Sequence, residues 1–114
     1  MVKRKDLPLE EKLKIPVMKL PFSKAVKNEL YYKGVLTLGQ IYDKYQREPR
    51  RSYLPGFKDS VFLETAYLII DIGLDNGKYK LAEEVDFKLS FLDEYYKDTR
   101  ERKEKIMGYA NAEI

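Results

Sequence analysis

Lys24, Lys27 and Asn28 follow Ser23 closely, and that grouping suits one kind of chemistry. Serine is a favoured N-cap, and the first turn of a helix offers unpaired backbone N–H groups with a partial positive charge. Cations beside such a turn form a natural place for phosphate. Lys58 stands in a comparable position behind the turn Leu54-Pro55-Gly56-Phe57. Arg47, Arg50 and Arg51, with Tyr53 as neighbour, read as a basic loop able to contact phosphate and stack a base, or more plainly as a solvated loop. Tyr31-Tyr32 and Tyr95-Tyr96 read first as helix-packing residues and second as recognition aromatics. The candidate nucleic-acid contacts are thus Lys24, Lys27, Asn28, Arg47, Arg50, Arg51 and Lys58.

Catalytic chemistry has less to work with. The chain has no cysteine and no histidine, which removes disulfides, thiolate zinc sites and thiol nucleophiles. It also removes the usual general base and the commonest metal ligand. Carboxylates, lysines and tyrosines remain, but they form no constellation. Glu83, Glu84 and Asp86 sit where a helix begins, and acidic side chains there favour the dipole. The expectation is a non-enzymatic protein without metal or cofactor.

Charge is distributed unevenly. Residues 1–60 hold 14 Lys/Arg against 7 Asp/Glu, a net of +7, and residues 61–114 hold 8 against 12, a net of −4. A basic half suggests a polyanion or an acidic protein as partner. No apolar run approaches the roughly 18 to 20 residues of a membrane span, and no signal-peptide core follows the lysine-rich start. The expected location is cytoplasmic, with no membrane partner.

The elements that must position these residues are helices. Pro8 and Pro16 interrupt residues 1–19, which read as an extended N-terminal arm along the surface. A helix over Lys24–Lys33 is capped by Ser23 and closed by Gly34, with Phe22, Val26 and Leu30 as its apolar stripe. Thr37 caps a second, shorter helix through Leu38, Ile41, Tyr42 and Tyr45, and residues 46–53 read as loop. A third begins with Asp59 or Ser60 as cap and stops at Gly73. Apolar on nearly all sides, it should be the central helix. Leu81–Met107 reads as a long helix whose residues Val85, Phe87, Leu89, Phe91 and Leu92 must pack on something, while residues 98–114 read as a charged, mobile tail. The fold class is all-α, a compact domain of four to five helices over residues 20–97 with two helix-hairpin-helix-like units.

Leu20, Phe22, Ser23, Leu30, Gly34, Val35, Thr37, Leu38, Gly39 and Ile41 stand in unbroken register with one known pattern. Phe57 is followed sixteen residues later by Gly73-Leu74, which matches its second block. Over about residues 20–74 the chain resembles the C-terminal domain of the bacterial RNA polymerase α subunit, with a connecting loop about two residues longer. The resemblance implies a helical domain in which the first helix N-terminus and the second hairpin contact the minor groove and backbone of duplex DNA. The family's key arginine falls at Ala25 here, its asparagine is kept as Asn28, and the glycine of its second hairpin becomes Lys58. Two expectations therefore stand side by side. One is a small DNA-binding or transcription-associated protein. The other is a protein-interaction module that keeps the fold without the DNA grip and binds RNA polymerase or a regulator. The oligomeric state is open.

Overall fold

The computed structural model describes residues 2–47, 56–74, 83, 85 and 103–112, and the regular elements among them are helical. Four α-helices are α1 (Leu9–Leu13), α2 (Lys24–Tyr32), α3 (Leu38–Arg47) and α4 (Asp59–Asp71). Among the described residues there is no strand, only a single bridge between Pro16 and Thr37. The all-α expectation holds.

Local chemistry explains most helix ends. Ser23 holds extended backbone and its hydroxyl accepts from the Val26 N–H, which starts α2 where the sequence placed it. The helix ends at Gly34, whose φ of +79° is a conformation that costs a residue without Cβ nothing. Gly34 N–H donates to the Tyr31 carbonyl and Val35 N–H to that of Leu30, a double closure that uses two orphan carbonyls. α4 ends in the same way at Gly73. Thr37 and Gln40 cap α3 reciprocally: Gln40 N–H donates to the Thr37 hydroxyl, and the Gln40 side-chain oxygen accepts from Thr37 N–H. α3 runs through Gln46 to Arg47, two residues beyond the expected end.

The start of α4 differs from expectation. Its N-cap is Lys58, not Asp59 or Ser60, and no side chain of its own caps it. The Glu29 carboxylate on α2 accepts from the Lys58 backbone N–H at 2.9 Å, so the helix begins one residue early and Asp59 joins its first turn.

α4 is the axis of the fold, with residues 61–69 all buried. Against it pack Val26 and Leu30 of α2 and Leu38, Ile41 and Tyr45 of α3, so Leu30, Ile41, Phe62 and Ile69 share one core as their spacing requires.

Residues 1–19 are not an extended arm. They contain 3₁₀ turns at Arg4–Asp6 and Val17–Lys19 as well as α1. Pro8 and Pro16 each immediately precede one of these elements, where a fixed φ and a missing N–H do no harm. α1 lies so close to α3 that a Cβ at Gly39 would sit 2.8 Å from the Leu13 carbonyl oxygen. The segment is tied to the α2–α3 turn by Val17 N–H to Leu36 O and by Leu38 N–H to Ile15 O, both at 2.9 Å. Lys12 is 8% exposed and donates its ammonium to the Ile72 carbonyl at the C-terminus of α4. A cation is favoured there by the helix dipole.

The expected mobile tail is also corrected. Residues 103–106 form a helical turn, and Ile106 and Ala110 are fully buried. The Asp71 carboxylate at the end of α4 accepts from Gly108 N–H at 3.1 Å and from Ala110 N–H at 3.0 Å. Lys5 N–H donates to the Ala110 carbonyl, and the Arg4 guanidinium lies 4.3 Å from the centre of the Tyr109 ring. The charged run thus ends in apolar residues that the core accepts. Of the residues expected to form the long C-terminal helix, Glu83 and Val85 are helical and Val85 is buried. Phe87, Leu89, Phe91 and Leu92 lie outside the described residues.

Three outcomes are expected. Ile69→Ala should lower stability to urea by about 2 to 5 kcal/mol, because α4 is enclosed on all sides. Removing residues 103–114 should lower the thermal midpoint by on the order of 10 °C, since buried Ile106 and the Asp71 contacts go with them. The third concerns pH. Burial raises the Tyr109 hydroxyl above its ordinary value of 10.0, with Arg4 pulling it partly back. The folded state therefore holds that proton more tightly than the unfolded chain. Its contribution is complete below pH 10.0 and is lost as pH climbs through the raised value. Tyr109→Phe should flatten that alkaline loss in a pH series of urea midpoints.

Candidate functional site

The hairpin surface expected to meet phosphate begins at the N-terminus of α2. There the Ser23 N–H donates to Glu64 Oε1 at 2.7 Å, and the Ser23 hydroxyl donates to Glu64 Oε2 at 2.8 Å. Glu64 comes from the middle of α4 and is 2% exposed. A buried carboxylate of the chain itself therefore lies beside the start of α2, bonded to its N-cap residue, where the helix dipole favours negative charge. The second helix N-terminus is met in the same manner, by Glu29 on Lys58 N–H.

The candidate lysines also diverge. Lys24 and Asn28 are exposed on the outer face of α2. Lys27 leans to one flank and donates its ammonium to the Met18 carbonyl at 3.0 Å. Glu29 serves the other flank, where Lys58 stands. Two residues apart on a helix is about 200° of rotation, so Lys27 and Lys58 lie on opposite sides of α2. On the Lys58 side the Lys33 ammonium bonds the Gly56 carbonyl and lies 4.4 Å from the centre of the Phe57 ring. Glu29 and Lys33 thus pin residues 56–58 to α2. The structure brings Lys24, Lys27 and Asn28 together and sets Lys58 apart. Arg47 closes α3, while Arg50, Arg51 and Tyr53 lie outside the described residues.

A different surface emerges on α2. Tyr31 and Tyr32 are 58% and 84% exposed, with ring centres 5.8 Å apart in an edge-to-face arrangement. Their expected role in helix packing does not hold, because Val26 and Leu30 take the inner face. Tyr31 stands one turn beyond Lys27, which bonds the carbonyl of exposed Met18. Exposed Leu36 adjoins the same segment through its bond to Val17. Exposed Met18, Tyr31, Tyr32 and Leu36 all belong to α2 or to the segments tied to its ends. Clustered exposed apolar side chains with a polar rim mark interaction surfaces more often than chance. The doublet Tyr31-Tyr32 was the only sequence signal for it. Leu36 and Met18 are distant in sequence and gave none.

No protein-family model, no curated protein and no solved structure matches the chain. Function therefore has to be argued from these residues. The buried carboxylate gives one test of the geometry. Glu64→Gln leaves one of its two bonds to Ser23 without a suitable acceptor, and should cost about 1 to 3 kcal/mol in urea unfolding. A neutral result would remove Glu64 as the anchor of Ser23.

Proposed function

We propose that this chain is a small non-enzymatic protein-interaction module on a two-hairpin helical fold, with the exposed group of Met18, Tyr31, Tyr32 and Leu36 as its contact face. The observation that carries this reading is the bonding of an internal carboxylate to the N-cap residue of both hairpin helices, Glu64 at Ser23 and Glu29 at Lys58. Duplex DNA is bound largely by neutralising phosphates. A phosphate approaching either terminus would meet the negative charge of a carboxylate already bonded to the N-cap residue. Ala25, where the resemblance puts the family's arginine, and the separation of Lys27 from Lys58 weigh in the same direction. RNA polymerase or a transcription regulator is the class of partner that the resemblance suggests, and the basic first half favours an acidic surface on it.

DNA binding is the competing reading, favoured by exposed Lys24 and Asn28 and by the net charge of +7 over residues 1–60. Salt-dependent anisotropy with a short duplex separates the two. On the interaction reading the dissociation constant stays near the non-specific level, about 10⁻⁴ M or weaker at physiological salt. Changing Lys27 and Lys58 together to Glu then makes little difference. Tight binding with a log–log salt slope of about −0.9 per phosphate, abolished by that double change, would overturn the proposal.

A further inference from the structure

The two ends of the chain meet in a groove of about 450 Å³, formed by the N-terminal segment and by Tyr109 of the docked C-terminal residues. Small-molecule sites span about 300 to 1,000 Å³ and combine an apolar lining with a few convergent polar groups. This groove has that character. Ile15 and the Tyr109 ring supply apolar surface, while Arg4, Lys14 and Lys19 line it with three cations against the single carboxylate of Glu11.

The cations are not spent on one another's partners. Among the described residues no ion pair joins Glu11 to Arg4, Lys14 or Lys19, and neither lysine ammonium has a hydrogen-bond acceptor. Arg4 is held in place from one side only. One guanidinium nitrogen donates to the Tyr109 carbonyl at 3.3 Å, the guanidinium carbon lies 4.3 Å from the centre of the Tyr109 ring, and the side chain also bonds the Tyr109 hydroxyl. A guanidinium has five N–H donors in a rigid fork, so donors remain beyond those that Tyr109 takes. Holding the fork beforehand reduces the entropy lost when an anion is captured.

We propose that this groove binds a small amphipathic organic anion, with a flat apolar body against Ile15 and Tyr109 and a carboxylate, sulfonate or phosphate group toward Arg4, Lys14 and Lys19. The site is separate from the α2 face proposed above and does not depend on it. Because the groove joins both ends of the chain, its ligand also clamps residues 103–112 to the fold.

The probe is 8-anilinonaphthalene-1-sulfonate, titrated by fluorescence into the full-length folded chain, with neutral N-phenyl-1-naphthylamine as control. One dye should bind per chain, shift the backbone amide signals of Ile15 and Tyr109, and raise the thermal midpoint. Changing Lys14 and Lys19 together to Glu should weaken the sulfonate dye at least about tenfold, the scale of lost charge-assisted contacts. The neutral dye should bind more weakly than the sulfonate and should not respond to that change. Both lysines are exposed, so the variant should fold, which its circular dichroism and unfolding midpoint will verify. Equal binding of the neutral dye, unchanged affinity in the double variant, or shifts confined to the Met18–Tyr31 face would each overturn the proposal.

Discussion

The Glu64 carboxylate is the contact on which much of the arrangement depends. It sits among Phe62, Leu63, Thr65 and Ala66 in the most enclosed helix, where an unpaired charge would cost several kcal/mol. Ser23 removes that cost by offering both its backbone N–H and its hydroxyl. The same hydroxyl accepts from Val26, so one serine starts α2 and anchors it over α4. The angle between the two helices is then set by a polar contact as well as by the fit of Val26 and Leu30. This contact also decides what the N-terminus of α2 can do, since its positive end is already compensated from within.

The same solution recurs around the fold. Glu29 closes the N-terminus of α4, Lys12 meets its last carbonyl, and Asp71 receives two N–H groups of the C-terminal segment. Each is a charged hydrogen bond between segments distant in sequence, strongest where it is buried, as at Lys12, and weakened by solvent at Glu29 and Asp71. In a domain whose helices are short, backbone groups at helix ends are a large share of all polar groups and must be satisfied. Here local caps satisfy most of them, and charged groups from other parts of the chain add to the caps of α2 and α4. The charged contacts at helix termini consequently help to hold the molecule together.

Both chain ends illustrate how tertiary contact overrides local character. Residues 97–105 are almost wholly polar, and on their own they would fray. Ile106 and Ala110 lie just beyond, and Asp71 supplies the acceptors that dock them. The N-terminal segment has prolines at positions 8 and 16, which in isolation suggest an extended chain. Helical turns begin just after both, because Lys12 and Val17 find buried places against α4 and the α2–α3 turn.

What the sequence alone determined is local. Ser23, Gly34, Thr37 and Gly73 mark helix ends through interactions that reach three to five residues, so they could be read from the chain directly. The apolar spacing of Val26, Leu30, Ile41, Phe62 and Ile69 likewise defined the core, because burial depends on helical period rather than on which partner does the burying. Tertiary structure decided the rest. Glu64 reaches Ser23 across 41 residues and Lys12 reaches Ile72 across 60, and nothing in local spacing encodes either pairing. A lone Glu in an apolar helix signals only that some donor must be near it. Which donor it found, and hence whether the helix N-terminus stayed open to phosphate, required the packed fold, because hydrogen bonds at this range follow position in space rather than order in the chain.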